Sequence, residues 1–137
     1  MIAPDTSVTI AAALPWHVAH ESAVSAMVAH ESSLIAHVAF ETTAALSRIP
    51  QGQRLAPATV LEWLQRRFPT EWLSLPANAS RDALRVAIAH GVRGGALYDA
   101  LIAATAAHHG HQLLSADRRA THIYAALDID VVFLDAG

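Results

Sequence analysis

Apolar positions along this chain fall in short blocks, separated by Pro, Gly and small polar residues, and the blocks differ in period. Met1–Asp5 has the length of a short strand. From His17 to Met27 the apolar positions Val18, Ala23, Ala26 and Met27 share one side of a helix. Leu34–Phe40 is almost wholly apolar and of strand length, as in a strand buried on both faces. Glu41–Ile49 reads as a helix stopped by Pro50, and Pro57 opens another whose stripe is Val60, Leu61, Leu64 and Phe68, ended by Pro69. Glu71–Leu75 reads as a strand. Ser80 suits the N-cap of a helix carrying Leu84, Ala87 and Ile88, with Gly91 as its stop. Gly95 precedes a helix running to His109 and ended by Gly110. Gln112–Ala116 is a strand, Arg118–Leu127 a helix and Ile129–Leu134 a final strand. Five strands alternating with helices predict an α/β fold with a parallel sheet. In such sheets reactive groups gather outside the carboxyl ends of the strands. Asp5 and Asp117 fall at such ends, and Glu41 directly follows another.

The twelve acids divide by their local partners. Glu62 has Arg66 four residues on, and Asp82 has Arg85 three residues on, both favourable surface pairings on a helix. Glu21, Glu31, Glu71, Asp128, Asp130 and Asp135 fall on polar faces, turns or strand ends and read as solvated charges. Four acids resist that reading. Asp99 has Gly95, Ala96, Ile102 and Ala103 as its helical neighbours, so it sits on a core-facing stripe without a local cation. Burying such a group costs several kcal/mol, on the order of what an unpaired charge requires, unless something pairs with it. Glu41 closes an apolar run above Ala44 and Ala45, Asp5 sits between Pro4 and Thr6, and Asp117 ends Gln-Leu-Leu-Ser-Ala. Each alone is as readily a helix cap or a dipole partner. Together they fall where an α/β fold converges.

Four carboxylates in one pocket repel one another unless some stay protonated or a cation neutralises them. Composition narrows the cation. There is no cysteine, and the nine histidines show no zinc-binding spacing, so an oxygen donor set suits Mg²⁺ or Mn²⁺. Such a cation activates water and offsets charge on a phosphodiester, so the chain needs no protein nucleophile. All nine cationic residues are arginine. The absence of lysine excludes a P-loop, a Schiff-base enzyme and a phospho-receiver domain.

The remaining bulk properties bound the setting. With 137 residues, 53% hydrophobic and 15% charged, the chain suits one ordered domain with a sizeable core. No run approaches the ~18 apolar residues of a membrane span. The start Met-Ile-Ala-Pro-Asp lacks a basic-then-apolar leader pattern, and the lack of cysteine fits a reducing cytoplasm. A net charge of −3 gives no global signal for nucleic acid. A mean hydropathy of +0.31 is high for a small domain and predicts a dimer face or a partner groove, for which the apolar side of the helical pair around Pro50–Pro57 is a candidate.

The sequence resembles the PIN-domain nucleases, in particular the VapC-type toxins of bacterial toxin–antitoxin pairs. The carriers are Asp5-Thr6-Ser7, Phe40-Glu41-Thr42, Gly94-Gly95-Ala96-Leu97-Tyr98-Asp99-Ala100-Leu101 and Leu114-Ser115-Ala116-Asp117-Arg118-Arg119, in order along nearly the whole chain. The resemblance implies a single PIN domain over 1–137, an α/β/α sandwich around a mainly parallel five-stranded sheet. It implies catalytic acids Asp5, Glu41, Asp99 and Asp117, of which Asp5, Asp99 and Asp117 ligate Mg²⁺ or Mn²⁺, with Thr6 or Ser7 steadying the first aspartate. It further implies a site-specific endoribonuclease acting on transfer or ribosomal RNA, a homodimer, and a cognate VapB-type antitoxin that blocks the site. Some members carry another acidic or polar residue just after the last aspartate; here Arg118, Arg119 and Ala120 follow, and Thr121 is the nearest such residue.

Arginines supply the candidate phosphate contacts: Arg48, Arg54, Arg66 and Arg67 in one stretch, Arg118 and Arg119 beside Asp117, and Arg93 in the turn before Asp99. His37, within the apolar run ahead of Glu41, reads first as a hydrogen-bonded core residue and second as a site-lining one. Two competing readings share the fold: a nuclease acting on DNA or in RNA processing, and a non-catalytic module that holds a partner in its apolar groove. An unpaired Asp99 argues against the module, which has no use for it.

Overall fold

A computed structural model describes residues 1–135 of the chain. Three parallel strands form the sheet: β1 (Ile2–Pro4), β2 (Gln112–Ser115) and β3 (Val131–Phe133), in that spatial order. Ala3 lies opposite Leu113, and Leu114 opposite Val132. The expected α/β class and parallel sheet are present, with three strands rather than five among the described residues. The two missing strands survive as single bridges on the other side of β1. Ile2 bridges Ser32, and Ile35 bridges Leu73. Backbone amides of Ser33, Ala36 and Leu73 bond across this seam to Ile2, Leu73 and Leu34.

Among the described residues seven α-helices complete the fold: α1 (Thr6–Ala13), α2 (His20–Ala29), α3 (Ala36–Leu46), α4 (Pro57–Arg67), α5 (Ala77–Ala89), α6 (Ala96–His108) and α7 (Thr121–Ala126). Three depart from the sequence pattern. Ser80, expected as an N-cap, lies inside α5, which Pro76 precedes as N-cap. The run 34–40 is not a strand: the backbone leaves the sheet at Ile35 and turns directly into α3, so Glu41 stands inside a helix. A continuous apolar run reads the same for a buried strand and a buried helix, and only its continuation through Ala44, Ala45 and Leu46 favours the helix. Helix α1 occupies residues to which the pattern assigns no element. Its β-branched Thr6, Val8, Thr9 and Ile10 weaken intrinsic helix preference. Tertiary contact overrides this, because Val8, Thr9, Ala11 and Ala12 are all buried.

Helices α1 and α6 lie against the strands, and α3 packs on α1. The Thr9 and Thr42 hydroxyls, both fully buried, meet at 2.6 Å and join α1 to α3. The Thr9 hydroxyl also donates to the Thr6 carbonyl at 3.1 Å, so Thr42 donates to Thr9 and both buried hydroxyls are paired. The expected stripe of α4 is inside: Val60, Leu64 and Phe68 are buried, with Leu61 left on the outer side. Gly110 adopts φ +71° as the chain leaves α6 for β2, a left-handed turn that a side chain would strain. No helix among the described residues is long and apolar enough to cross a membrane.

Phe68 anchors this packing with 1% exposure. Phe68→Ala is expected to cost about 3–5 kcal/mol in chemical denaturation, the range for a large ring removed from a core that cannot collapse around it. A loss below 1 kcal/mol would place the ring outside the cooperative core.

Candidate active site

The three chain segments that end at the same edge of the sheet carry the acids. Asp5 follows β1, Asp117 follows β2, and α3 begins where the chain leaves Ile35, which brings Glu41 to that edge one turn further on. Asp99 comes from the first turn of α6. One cleft of about 460 Å³ is lined by Asp5, Thr6, Ser7, Glu41, Ala44, Ala45, Arg48, Asp99 and Asp117. All four acids singled out in the sequence, and both hydroxyl residues, therefore share one pocket.

Asp5 is the most enclosed, at 5% exposure. Its backbone position caps α1, and its Oδ1 accepts from the Val8 amide at 3.2 Å and from the Ser7 hydroxyl at 2.5 Å. The Tyr124 hydroxyl donates to Oδ2 at 3.3 Å. Ser7 Oγ also accepts from the Ala116 amide at 2.9 Å, which ties the end of β1 to the end of β2. Burial pushes the Asp5 carboxyl above the usual carboxylate range, opposed by its donors from Ser115, Ser7, Val8 and Tyr124. Burial, with Asp5 next to it, pushes the Tyr124 phenol far up, so this hydroxyl stays a donor.

Glu41 is held from two sides. The Thr6 hydroxyl donates to Oε1 at 2.6 Å, and His37 Nε2 stands 3.5 Å from Oε2. His37 thus stands behind Glu41 without lining the cleft, and its buried Nε2 has no hydrogen bond, so neither of its sequence readings holds in full. Asp117 is held by Arg119, whose backbone amide and Nε reach Oδ1 at 3.0 and 2.9 Å while Nη2 reaches Oδ2 at 3.3 Å. The Arg119 hydrogen bond is the largest influence lowering the Asp117 carboxyl. Asp99 has no such partner. Burial first, then repulsion from Asp5, Glu41 and Asp117, pushes its carboxyl up to about 6.

The donor set fits a hard divalent cation: four oxygen-donor carboxylates in one cleft, one of them raised by the charge of the other three. Among the described residues no three His, Asp or Glu side chains converge on a common point as they stand. The hydrogen bonds explain this. Glu41 is turned to Thr6 and His37, and Asp117 to Arg119.

The arginines separate. Arg48 lines the acidic cleft and Arg119 pairs with Asp117. Arg118 stands 4.6 Å from the centre of the Phe133 ring, next to the cleft in sequence but packed on β3. Arg66 lines a different hollow, with Leu46, Leu55 and Trp63. The Arg67 guanidinium lies over Phe68, with Nη2 buried and without a hydrogen bond. Arg54 and Arg93 are exposed and do not line the cleft. Thr121, the polar residue nearest after Asp117, spends its hydroxyl on the Arg118 carbonyl at 2.6 Å. Tyr124 and Ser115 support the site without being singled out in the sequence. Tyr124 acts across 119 positions, and no local spacing signals it.

The raised Asp99 predicts a pH-dependent stability difference in metal-free protein. The folded chain holds the Asp99 proton up to about pH 6, the unfolded chain only to about 3.8. Ionisation therefore destabilises the fold as pH rises through that window. In EDTA, Asp99→Asn is expected to raise the melting temperature above pH 6, with the gain shrinking towards pH 4. A gain independent of pH, or a loss above pH 6, would contradict the electrostatic assignment.

A family model, the PIN domain, matches residues 2–126. Ribonuclease VapC40 of Mycobacterium tuberculosis is 42% identical over 131 residues, covering 96% of this chain and 97% of the relative. Ribonuclease VapC27 of the same species is 36% identical over 131 residues, covering 96% and 95%. The solved structure of FitAcB from Neisseria gonorrhoeae superposes with a TM-score of 0.68 at 22% identity, over 98% of this chain and 97% of that one, and so shares its fold. The chain belongs to the PIN-domain family, among its VapC-type ribonucleases.

Proposed function

We propose that this chain, read as one PIN domain over 1–137, is a Mg²⁺- or Mn²⁺-dependent, site-specific endoribonuclease. In this reading it is the toxin of a toxin–antitoxin module, acts in the cytoplasm as a homodimer on transfer or ribosomal RNA to inhibit translation, and is neutralised by a VapB-type antitoxin. The observation that carries the catalytic part is the convergence of Asp5, Glu41, Asp99 and Asp117 on one cleft. The relatives named ribonucleases support the RNA substrate.

Asp5, Asp99 and Asp117 are the ligand set, and a bound cation there supplies water activation and charge stabilisation on the phosphodiester. The rest of the work belongs to the chain. Ser7, Tyr124 and the Val8 amide fix Asp5, so the innermost carboxylate keeps one orientation. Thr6 fixes Glu41 through Oε1, which leaves Oε2 to orient or deprotonate the attacking water. Arg48, on the same wall, offers a positive charge to the RNA backbone over an otherwise anionic cleft.

The test is sequencing of RNA ends after total RNA is incubated with purified, antitoxin-free protein. Three arms are required: wild type with Mg²⁺, wild type with EDTA, and Asp99→Asn with Mg²⁺. A small set of discrete cuts confined to the first arm is expected. Intact RNA in all three, from folded protein, would shift the reading to a DNA substrate or a binding module.

A further inference from the structure

A second arrangement lies beside Glu41 and Asp99, outside the residues that line the acidic cleft, and is not used by the roles above. The His37 and Tyr98 rings stack with centroids 5.0 Å apart and planes 15° from parallel. The pair joins two helices that also carry acids. His37 precedes Glu41 by four residues on α3, about 6 Å along the axis, and Tyr98 directly precedes Asp99 on α6. His37 Nε2 is buried, has no formed hydrogen bond, and faces Glu41 Oε2 at 3.5 Å. Tyr98 itself remains 52% exposed.

We propose that the Tyr98 ring, backed by His37, is a nucleobase-stacking subsite for a base flanking the scissile phosphate in a single-stranded RNA segment. The inference rests on the ribonuclease reading and adds a recognition element to it. An exposed tyrosine on a helix normally samples several rotamers. Here one face of the ring is already covered by imidazole, so the side chain is ordered before any ligand arrives. The remaining π-surface accepts any base, since stacking needs only a flat partner. Recognition of unpaired RNA relies on such Tyr and His faces, because splayed bases present them with a ring rather than a backbone. An uncharged ring also adds no further repulsion beside four carboxylates. The position couples the two sites: a base held on Tyr98 presses on the ring whose other edge faces Glu41. A competing use exists. Tyr98 also walls an apolar hollow of about 580 Å³ between α5 and α6, with Leu84, Leu97 and Leu101, which a second copy of the chain would fill.

Single-stranded RNA hexamers carrying 2-aminopurine at each position in turn separate these uses. Binding is measured by fluorescence in Ca²⁺, with probe integrity checked on a denaturing gel. Wild type and Tyr98→Phe are expected to quench one position. Tyr98→Leu is expected to lose that quench and bind roughly 5- to 150-fold more weakly, the range for one lost base–aromatic stack. Its melting temperature and light-scattering mass should stay those of wild type. Retained quenching and affinity in Tyr98→Leu would overturn the subsite. So would a fall in mass to that of a monomer, which would assign the ring to contact between copies. Absence of quenching at every position in wild type would also overturn it, and continued cutting of total RNA by that same protein would leave the ribonuclease reading standing alone.

Discussion

A carboxylate buried at the junction of β1 and α1 is the constraint on which the site depends. Asp5 ends the first strand, caps the first helix and accepts from Tyr124 at the far end of the chain. A carboxyl at 5% exposure is tolerated only with several donors, and those donors come from α1, β2 and α7. Satisfying one side chain therefore fixes where a strand, a helix and the C-terminal region meet. The buried Thr9–Thr42 contact then holds α3 in register with α1. That register sets Thr6 opposite Glu41, with the bond between them as its visible result.

The same arrangement is electrostatically uncomfortable. Asp99 is half-buried, feels three other acids and has no partner of its own; burial first and that repulsion second raise its carboxyl to about 6. Arg119 compensates Asp117 from an exposed position, and Arg48 stands on the cleft wall. Two exposed guanidinium groups screen four carboxylates only weakly, because their charge is largely solvated. A core that accepts this repulsion gains nothing in stability from it. The cost makes physical sense where a divalent cation, concentrated by the four charges, offsets it.

Part of the candidate site was legible because one of its acids lacks a local partner. Asp82 pairs with Arg85 at 2.6 Å, as its spacing indicates, whereas Asp99 has only small and apolar helical neighbours. Elimination by local pairing thus isolates Asp99, whereas Asp5, Glu41 and Asp117, each with a partner within four residues, stood out by their place at the ends of predicted strands. Glu41 was placed at the right edge of the sheet from the wrong element. The apolar run 34–40 supports strand and buried helix equally, and both begin at the same bridge near Ile35. The two outer strands shrink to bridges at Ser32 and Leu73, a difference that hydrophobic pattern does not resolve. Helix α1 was hidden by its β-branched residues, and Tyr124 by the 119 positions separating it from Asp5. Of the arginines, charge alone cannot tell Arg48 on the cleft wall from Arg67 against Phe68; packing decides.

The central claim is that Asp5, Asp99 and Asp117 form one cation site. The most direct measurement is a Mn²⁺ titration followed by electron paramagnetic resonance, on wild type, Asp5→Asn, Asp99→Asn and Asp117→Asn, with Asp82→Asn as the surface control. The account predicts saturable binding in wild type and in Asp82→Asn, with loss or marked weakening in each of the other three. Equal Mn²⁺ affinity in all five proteins would contradict it.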